Sequence, residues 1–443
     1  MAGCGQDAHA GCASVAACGG AGVNGLRCEL LNRIAADEAA LIALLSDFVR
    51  AASPNPPGDT RQASVVLTRW LAARSVPFRL VGPEPSMPNI LASFEGGQPG
   101  PHLVLNGHID TFPVASRDRW TRDPFGAEVA DGKLFGTGSS DMKQGTASLV
   151  ALFGWLYEMR ASLAGRLTLT AVSDEETFGA NGARYLVDRH GTEVLGDCLL
   201  NAEPGAPTTV RFAEKSPLWI AVEVETMGCH GAYTHKSASA TKVAACIIEE
   251  LAAIEGMKAA LPPEVEAAIE AGAGEIDRVH LPGAARAMAG VTLNIGTWRG
   301  GTLVNMLPGH CRFEADIRVP WGMAPDDVAA RVAEIVARHR GASMQVLSKQ
   351  TPRWSDPGHP LVRHIQRNAA SVAGWEVKPI PSLAGTDARL WRDRGVPAFT
   401  YGTTATNVAM PDEHTDIAEW LAVVRVHALS ALDYLSGNGS NHP

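Results

Sequence analysis

Apolar positions return at helical spacing over residues 33–51 and 61–74, and the pattern then tightens into apolar runs of strand length, of which HLVLNGHID carries the chain to His108. Helical spacing resumes after Asp141, from Gly145 to Arg160. Two further apolar runs, LTLTAVSD and CLLNAE, lead to the acid pair Glu175 and Glu176 and to Glu203. Near residue 215 the order changes to strand LWIAVEVET, helix TKVAACIIEELAAI, strands VTLNIGTW and CRFEADIRV, helix DDVAARVAEIVARH and strand SMQVL. This order predicts a compact sheet with two helices, set into the first lobe. From about residue 352 the chain returns to that lobe with GTDARLWRDRG and the strand PAFTYG. The stretch from Gly256 to Ala289, rich in Ala, Pro and Glu, interrupts the order and reads as an extra surface helix and loop.

At 443 residues the chain exceeds what one hydrophobic core normally serves. We therefore expect an α/β fold: a mixed-sheet lobe with helices on both faces (residues 30–214 and 352–436) and a smaller inserted α+β lobe (residues 215–351). Residues 1–29 read as a flexible tail. A hydrophobic content of 46% with 19% charged residues fits a globular chain. The net charge of -9 and the lack of a Lys/Arg run argue against a nucleic-acid partner. No run of about 18 apolar residues predicts a membrane span. Of the eight cysteines, four lie in the first 28 residues at spacings that match no standard zinc set, and they read as disordered thiols. The opening residues lack the basic region of a secretory signal. A reducing, cytoplasmic setting is expected.

Chemistry concentrates where apolar runs give way to loops. His108 and Asp110 close the first run, Asp141 sits in GTGSSDMKQG, and Glu175, Glu176 and Glu203 close the next two. Any one of these could simply cap the following helix. Together, with no Lys or Arg beside the acid pair in the chain, they read as a metal site beyond the carboxyl ends of sheet strands. The i, i+2 spacing lets the Asp110 carboxylate orient the His108 ring. No G-x-S-x-G elbow and no H-E-x-x-H helix occurs, which removes the commonest serine-hydrolase and single-zinc protease signatures.

The stretches GHIDTFPV, WTRDPFGAEVADGKLFGTGSSDMKQG, SDEETFGANGA, AEPG, GGTLVNMLPGHCRFEADIRV and GTDARLWRDRGVPAFTYG are long, ordered and specific. Over roughly residues 30–436 the chain resembles the di-zinc amidohydrolases of the acetylornithine deacetylase, succinyl-diaminopimelate desuccinylase and carboxypeptidase G group. The resemblance implies two divalent ions, zinc or else cobalt or manganese. His108 and Glu203 would hold one, Asp141 would bridge both, and Glu176 would bind the second. Glu175 would be the general base, since neighbouring side chains at an extended strand end face opposite ways and only one glutamate can face the metal. A metal-bridging hydroxide would then attack the amide bond of an N-acyl amino acid or small peptide. The Asp141–Met142 bond would be cis. His230 would steady the oxyanion across a homodimer interface, and Asn305 and Arg318 would hold the polar end of the substrate.

One departure stands out. Ala409 occupies the slot where relatives carry the last metal-binding histidine, and the only nearby imidazole is His414, at the start of a helical pattern running to Leu435. His414 is the candidate last ligand. The other reading is a non-catalytic binding protein on the same scaffold, its second metal site impaired.

Overall fold

The computed structural model describes residues 23–436. Its largest sheet has eight strands, in the order Arg79–Val81, Asn89–Glu95, Ala164–Val172, Gln98–His108, Cys198–Asn201, Ala398–Thr400, Thr209–Glu214 and Lys378–Ser382. The four central strands, from Ala164–Val172 to Ala398–Thr400, run parallel. Antiparallel strands flank them on either side, which makes the sheet mixed. Parallel strands need both faces covered. Helices Val23–Arg50, Arg61–Ala73, Lys143–Glu158, Pro360–Ala373 and Ile417–Leu435 pack into one core. The short helices Ala183–Arg189 and Ala388–Asp393 contribute to a smaller core containing Val104, Val172 and Leu199 of the sheet. Helix Lys143–Glu158 is buried from its first residue to Leu156, as its nearly all-round apolar sequence requires.

Helix Val23–Arg50 begins within the stretch expected to be a flexible tail. Leu26, Leu30 and Ile34 continue its apolar stripe backwards at i, i+4 spacing, and Arg27 pairs with the buried Asp433 at 2.6 Å. Cys28 is disulfide-bonded, contrary to the all-thiol reading of the N-terminal cysteines. The rest of that expectation falls on residues 1–22, outside the described residues. Among the described residues no helix is long and apolar enough to cross a membrane.

A second, antiparallel sheet is ordered Thr292–Gly300, His310–Val319, Ser216–Glu225 and Ala342–Lys349. Alternation in His310–Val319 sends Cys311, Phe313, Ala315 and Ile317 into a separate core with helices Ala240–Leu251 and Pro325–Val336. Residues 256–289 depart from expectation. Helix Pro263–His280 presents Val265, Ile269 and Ile276 to the core of the larger sheet, and Met288 of the following short helix joins them. The segment is interior packing rather than surface decoration.

Candidate metal centre

Three of the expected groups leave adjacent parallel strands at the same edge. Strand Ala164–Val172 leads to Glu175 and Glu176, strand Gln98–His108 ends on His108, and strand Cys198–Asn201 is followed at once by Glu203. The fourth, Asp141, arrives from the loop before helix Lys143–Glu158, across a cis bond to Met142. That helix can come this close only because residue 145 is glycine: a Cβ there would lie 2.1 Å from the Ala202 carbonyl oxygen. Lys143, fully buried, donates to the carbonyls of Phe48 and Ala51 at 2.8 and 2.7 Å and so ties the loop to the end of the first helix.

One ligand atom from each of His108, Asp141 and Glu203 lies within 4.8 Å of the other two. His108 Nε2 is 3.2 Å from Asp141 Oδ1 and 3.6 Å from Glu203 Oε1. Its Nδ1 meets the main-chain carbonyl of Asp110 at 2.9 Å, while the Asp110 carboxylate stands off at 3.6 Å. The ring is therefore oriented by Asp110 through the backbone, not through the carboxylate that the i, i+2 spacing suggested. That carboxylate has other partners: Asn55 Nδ2 at 2.9 Å and the backbone N–H groups of Glu175 and Glu176, each at 3.2 Å. It suspends the acid pair.

Glu175 and Glu176 lie on a 3₁₀ turn, Glu175–Thr177, rather than on an extended strand end. Their side chains still diverge, since successive residues of such a turn are rotated by about 120°. Their surroundings differ. Glu175 Oε1 is 3.4 Å from Arg389 Nη1, so a cation does stand beside the acid pair, although the chain places it far away. Glu176 Oε1 is buried with no hydrogen-bond partner. A buried acceptor left unpaired costs about 1–3 kcal/mol, and a cation would satisfy it.

The electrostatics point the same way. Burial, then the charge of Asp141, pushes the Glu176 carboxyl up to about 11. The same two causes raise Glu203 well above the ordinary carboxyl range, and burial raises Glu175 against the opposing pull of His108 and Arg389. For His108, burial disfavours the imidazolium, but the hydrogen bond to Asp141 and the charges of Glu203, Asp141 and Asp110 outweigh it and hold the ring well above its usual value. Carboxylates crowded this closely repel unless neutralised. The imidazole, the Asp141 and Glu203 carboxylates beside it and the orphaned Glu176 oxygen together fit hard or borderline divalent ions.

Sequence reasoning passed over Glu413. Its carboxylate, 2% exposed, accepts from the N–H groups of Ser140 and Asp141 at 2.9 Å and of Gly138 at 3.1 Å, fixing the loop that carries Asp141. Burial raises its pKa to about 8. The structure does not bring its neighbour His414 to the cluster. That residue lies on a short strand, His414–Asp416, paired with Lys133–Phe135, instead of at a helix start. Its ring packs on Phe135 at 4.9 Å, and its Nδ1 meets the Asp412 carbonyl. Ala409, in the slot of the missing ligand, is exposed with φ 58°.

His230 and Asn305 sit side by side on the inserted sheet's periphery, both exposed, with Gly231 N–H bonded to the Asn305 carbonyl at 2.6 Å. Arg318 lies on the open face of the second sheet and pairs with Asp316 at 3.0 Å. No hydrogen bond or ion pair among the described residues joins these three to the His108 cluster. One contact does link the two sheets near the acid pair: Phe178 packs edge-on against Trp219 at 4.6 Å.

A histidine and carboxylates gathered beyond the carboxyl edge of a parallel sheet, with a pair of buried glutamates beside them, fit a metal-dependent hydrolase. The chain belongs to peptidase family M20/M25/M40, whose model matches residues 104–433, and it acts on amide or peptide bonds. It is 26% identical over 414 residues to a succinyl-diaminopimelate desuccinylase of Cereibacter sphaeroides, covering 89% of this chain and 99% of that one. Its fold matches the M20 family metallo-carboxypeptidase Sso-CP2 of Sulfolobus solfataricus with a TM-score of 0.76 at 16% identity, over 88% of this chain and 98% of that one. Human carnosine dipeptidase 1 matches with a TM-score of 0.72 at 15% identity, over 93% and 99% of the respective chains.

Proposed function

We propose that the chain is a di-metal amidohydrolase that cleaves the amide bond of an N-acyl amino acid or small peptide. The convergence of His108, Asp141 and Glu203 within 4.8 Å carries this reading. His108 and Glu203 would hold one ion, Asp141 would be shared, and the unpartnered Glu176 oxygen would take the second. When bound, such ions, of which zinc would suit this donor set best and cobalt or manganese would serve, would lower the pKa of a bound water towards neutrality and polarise the scissile carbonyl. Glu175, which pairs with Arg389, would accept the proton of the attacking water and return it to the departing amine. The relatives' names support an acyl-amino-acid substrate. A binding protein without catalysis has no observation in its favour.

The working form is a homodimer in a cytoplasmic setting. Exposed Leu303, Val304 and Met306 flank Asn305 beside His230 and suit a covered face. In that assembly His230 of one chain steadies the oxyanion at the other chain's centre, and Asn305 and Arg318 bind the substrate's polar end. A screen over N-acetyl, N-succinyl and N-formyl amino acids and dipeptides tests the reading, with chelator-stripped and metal-restored protein compared. Turnover that disappears on stripping and returns with metal is expected. No turnover on any member by fully metallated protein would refute it.

A further inference from the structure

Among the described residues, the GTDARLWRDRG segment delivers the one Lys or Arg that pairs with Glu175 or Glu176. Arg389 Nη1 donates to the Thr386 carbonyl at 2.6 Å and stands 3.4 Å from Glu175 Oε1. The two side chains are 13% and 14% exposed. Arg389 Nη2 is buried without a hydrogen-bond partner, and of the carboxylates whose charge acts on the guanidinium, Glu175, Asp387 and Glu214, Glu175 acts most strongly. The loop that presents it is itself fastened. Thr386 Oγ1 donates to Glu214 Oε1 at 2.6 Å, Arg392 pairs with the same oxygen at 3.2 Å, and Arg392 also donates twice to the Ala398 carbonyl. Glu214 is the last residue of its strand before the chain leaves for the second sheet.

We propose that Arg389 is a positioning residue that fixes the Glu175 carboxylate for proton transfer, braced through Thr386 to Glu214 at the root of the inserted lobe. The inference rests on Glu175 being the base. At 3.4 Å the contact is an ion pair rather than a short hydrogen bond, so it orients the carboxylate and leaves its lone pairs available for a proton. Without it the carboxylate turns freely about its last bond, and a displacement of about 1 Å at a reacting group can cost about 100-fold in rate.

The test is a double-mutant cycle on the metallated enzyme, with kcat, KM and metal content read for each member. Arg389→Met is expected to lower kcat about 10–100-fold with KM within about threefold and metal content unchanged. Arg389→Lys should recover part of the loss. In the Glu175→Gln background Arg389→Met should cost less than about threefold more, because there is no base left to position. Arg389→Gln keeps a donor for the Thr386 carbonyl and serves if the methionine variant does not fold. Losses of equal size in both backgrounds, or wild-type kcat in Arg389→Met, overturn the inference alone. Wild-type kcat in Glu175→Gln overturns the base assignment and this inference with it.

Discussion

Replacing Glu413 by glutamine tests whether the Asp141 loop is held by a carboxylate that never meets metal. Three N–H groups point at this side chain, two at Oε1 and one at Oε2. Glutamine keeps one oxygen, which can serve Ser140 and Asp141, and turns its NH₂ towards the Gly138 N–H, where two donors face each other. Hydrogen bonds to a charged group contribute about 1.5–3 kcal/mol each and neutral ones about 0.5–1.5. One such bond is lost and two are weakened, for a gross loss of about 3–5 kcal/mol. Relief of the buried charge returns part of this, and we expect a net loss of about 2–4 kcal/mol in denaturant unfolding of the chelator-stripped protein at about pH 9, above the Glu413 pKa of about 8, where the carboxylate is ionised. Because the loop presents Asp141, metal affinity should also fall about 10–100-fold in a chelator competition titration, the usual effect of removing a group that orients a ligand. If unfolding shifts by less than about 0.5 kcal/mol and affinity by less than twofold, Glu413 does not organise the centre.

Glu175→Gln should retain full metal content by elemental analysis while turnover falls about 100-fold or more; unchanged turnover removes Glu175 from the base role. His414→Ala should leave metal content unchanged, since its ring rests on Phe135, whereas Ala409→His should tighten the second ion, histidine being tolerated at that residue's positive φ. A loss of metal in the first variant would return His414 to the ligand set. His427, fully buried with its Nε2 on the Tyr401 carbonyl, has its pKa pushed down by burial to about 4 from 6.5. The unfolded chain therefore binds the proton more readily than the fold does. This contribution to stability is complete above the unfolded pKa and is lost as pH falls from 6.5 towards 4. His427→Gln should lose about 2 kcal/mol less than wild type between pH 7 and pH 5, and parallel stability curves would contradict the shift.

His108, Asp141 and Glu203 were legible because a parallel strand announces its end by the loss of apolar character, and such ends gather on one edge. The groups that hold them were not. Asn55, Glu413 and Arg389 act on the centre through contacts between positions far apart in the chain. The sequence puts His414 at a helix start because the periodicity of Ile417–Leu435 fades gradually at its start, while pairing with Lys133–Phe135 depends on a strand far earlier in the chain. The acid pair was read as strand-like because alternation persists up to Val172, and a single 3₁₀ turn is too short to show a period. In helix Pro263–His280 the apolar face was visible as Val265, Ile269 and Ile276. Which of two cores it would join depends on tertiary packing that no local pattern encodes.

That helix changes how the molecule can be taken apart. Lys215, at the first crossing between sheets, donates to the carbonyls of Ala287 and Gly290, and a bridge between Lys258 and Gly290 closes the neck of the excursion. A fragment cut at residues 215 and 351 would carry away Val265, Ile269, Ile276 and Met288, exposing an oily stripe on the excised piece and a matching scar on the remainder. Dissection would succeed only by leaving the excursion with the larger body and rejoining positions 258 and 290 of the smaller one by a tight turn.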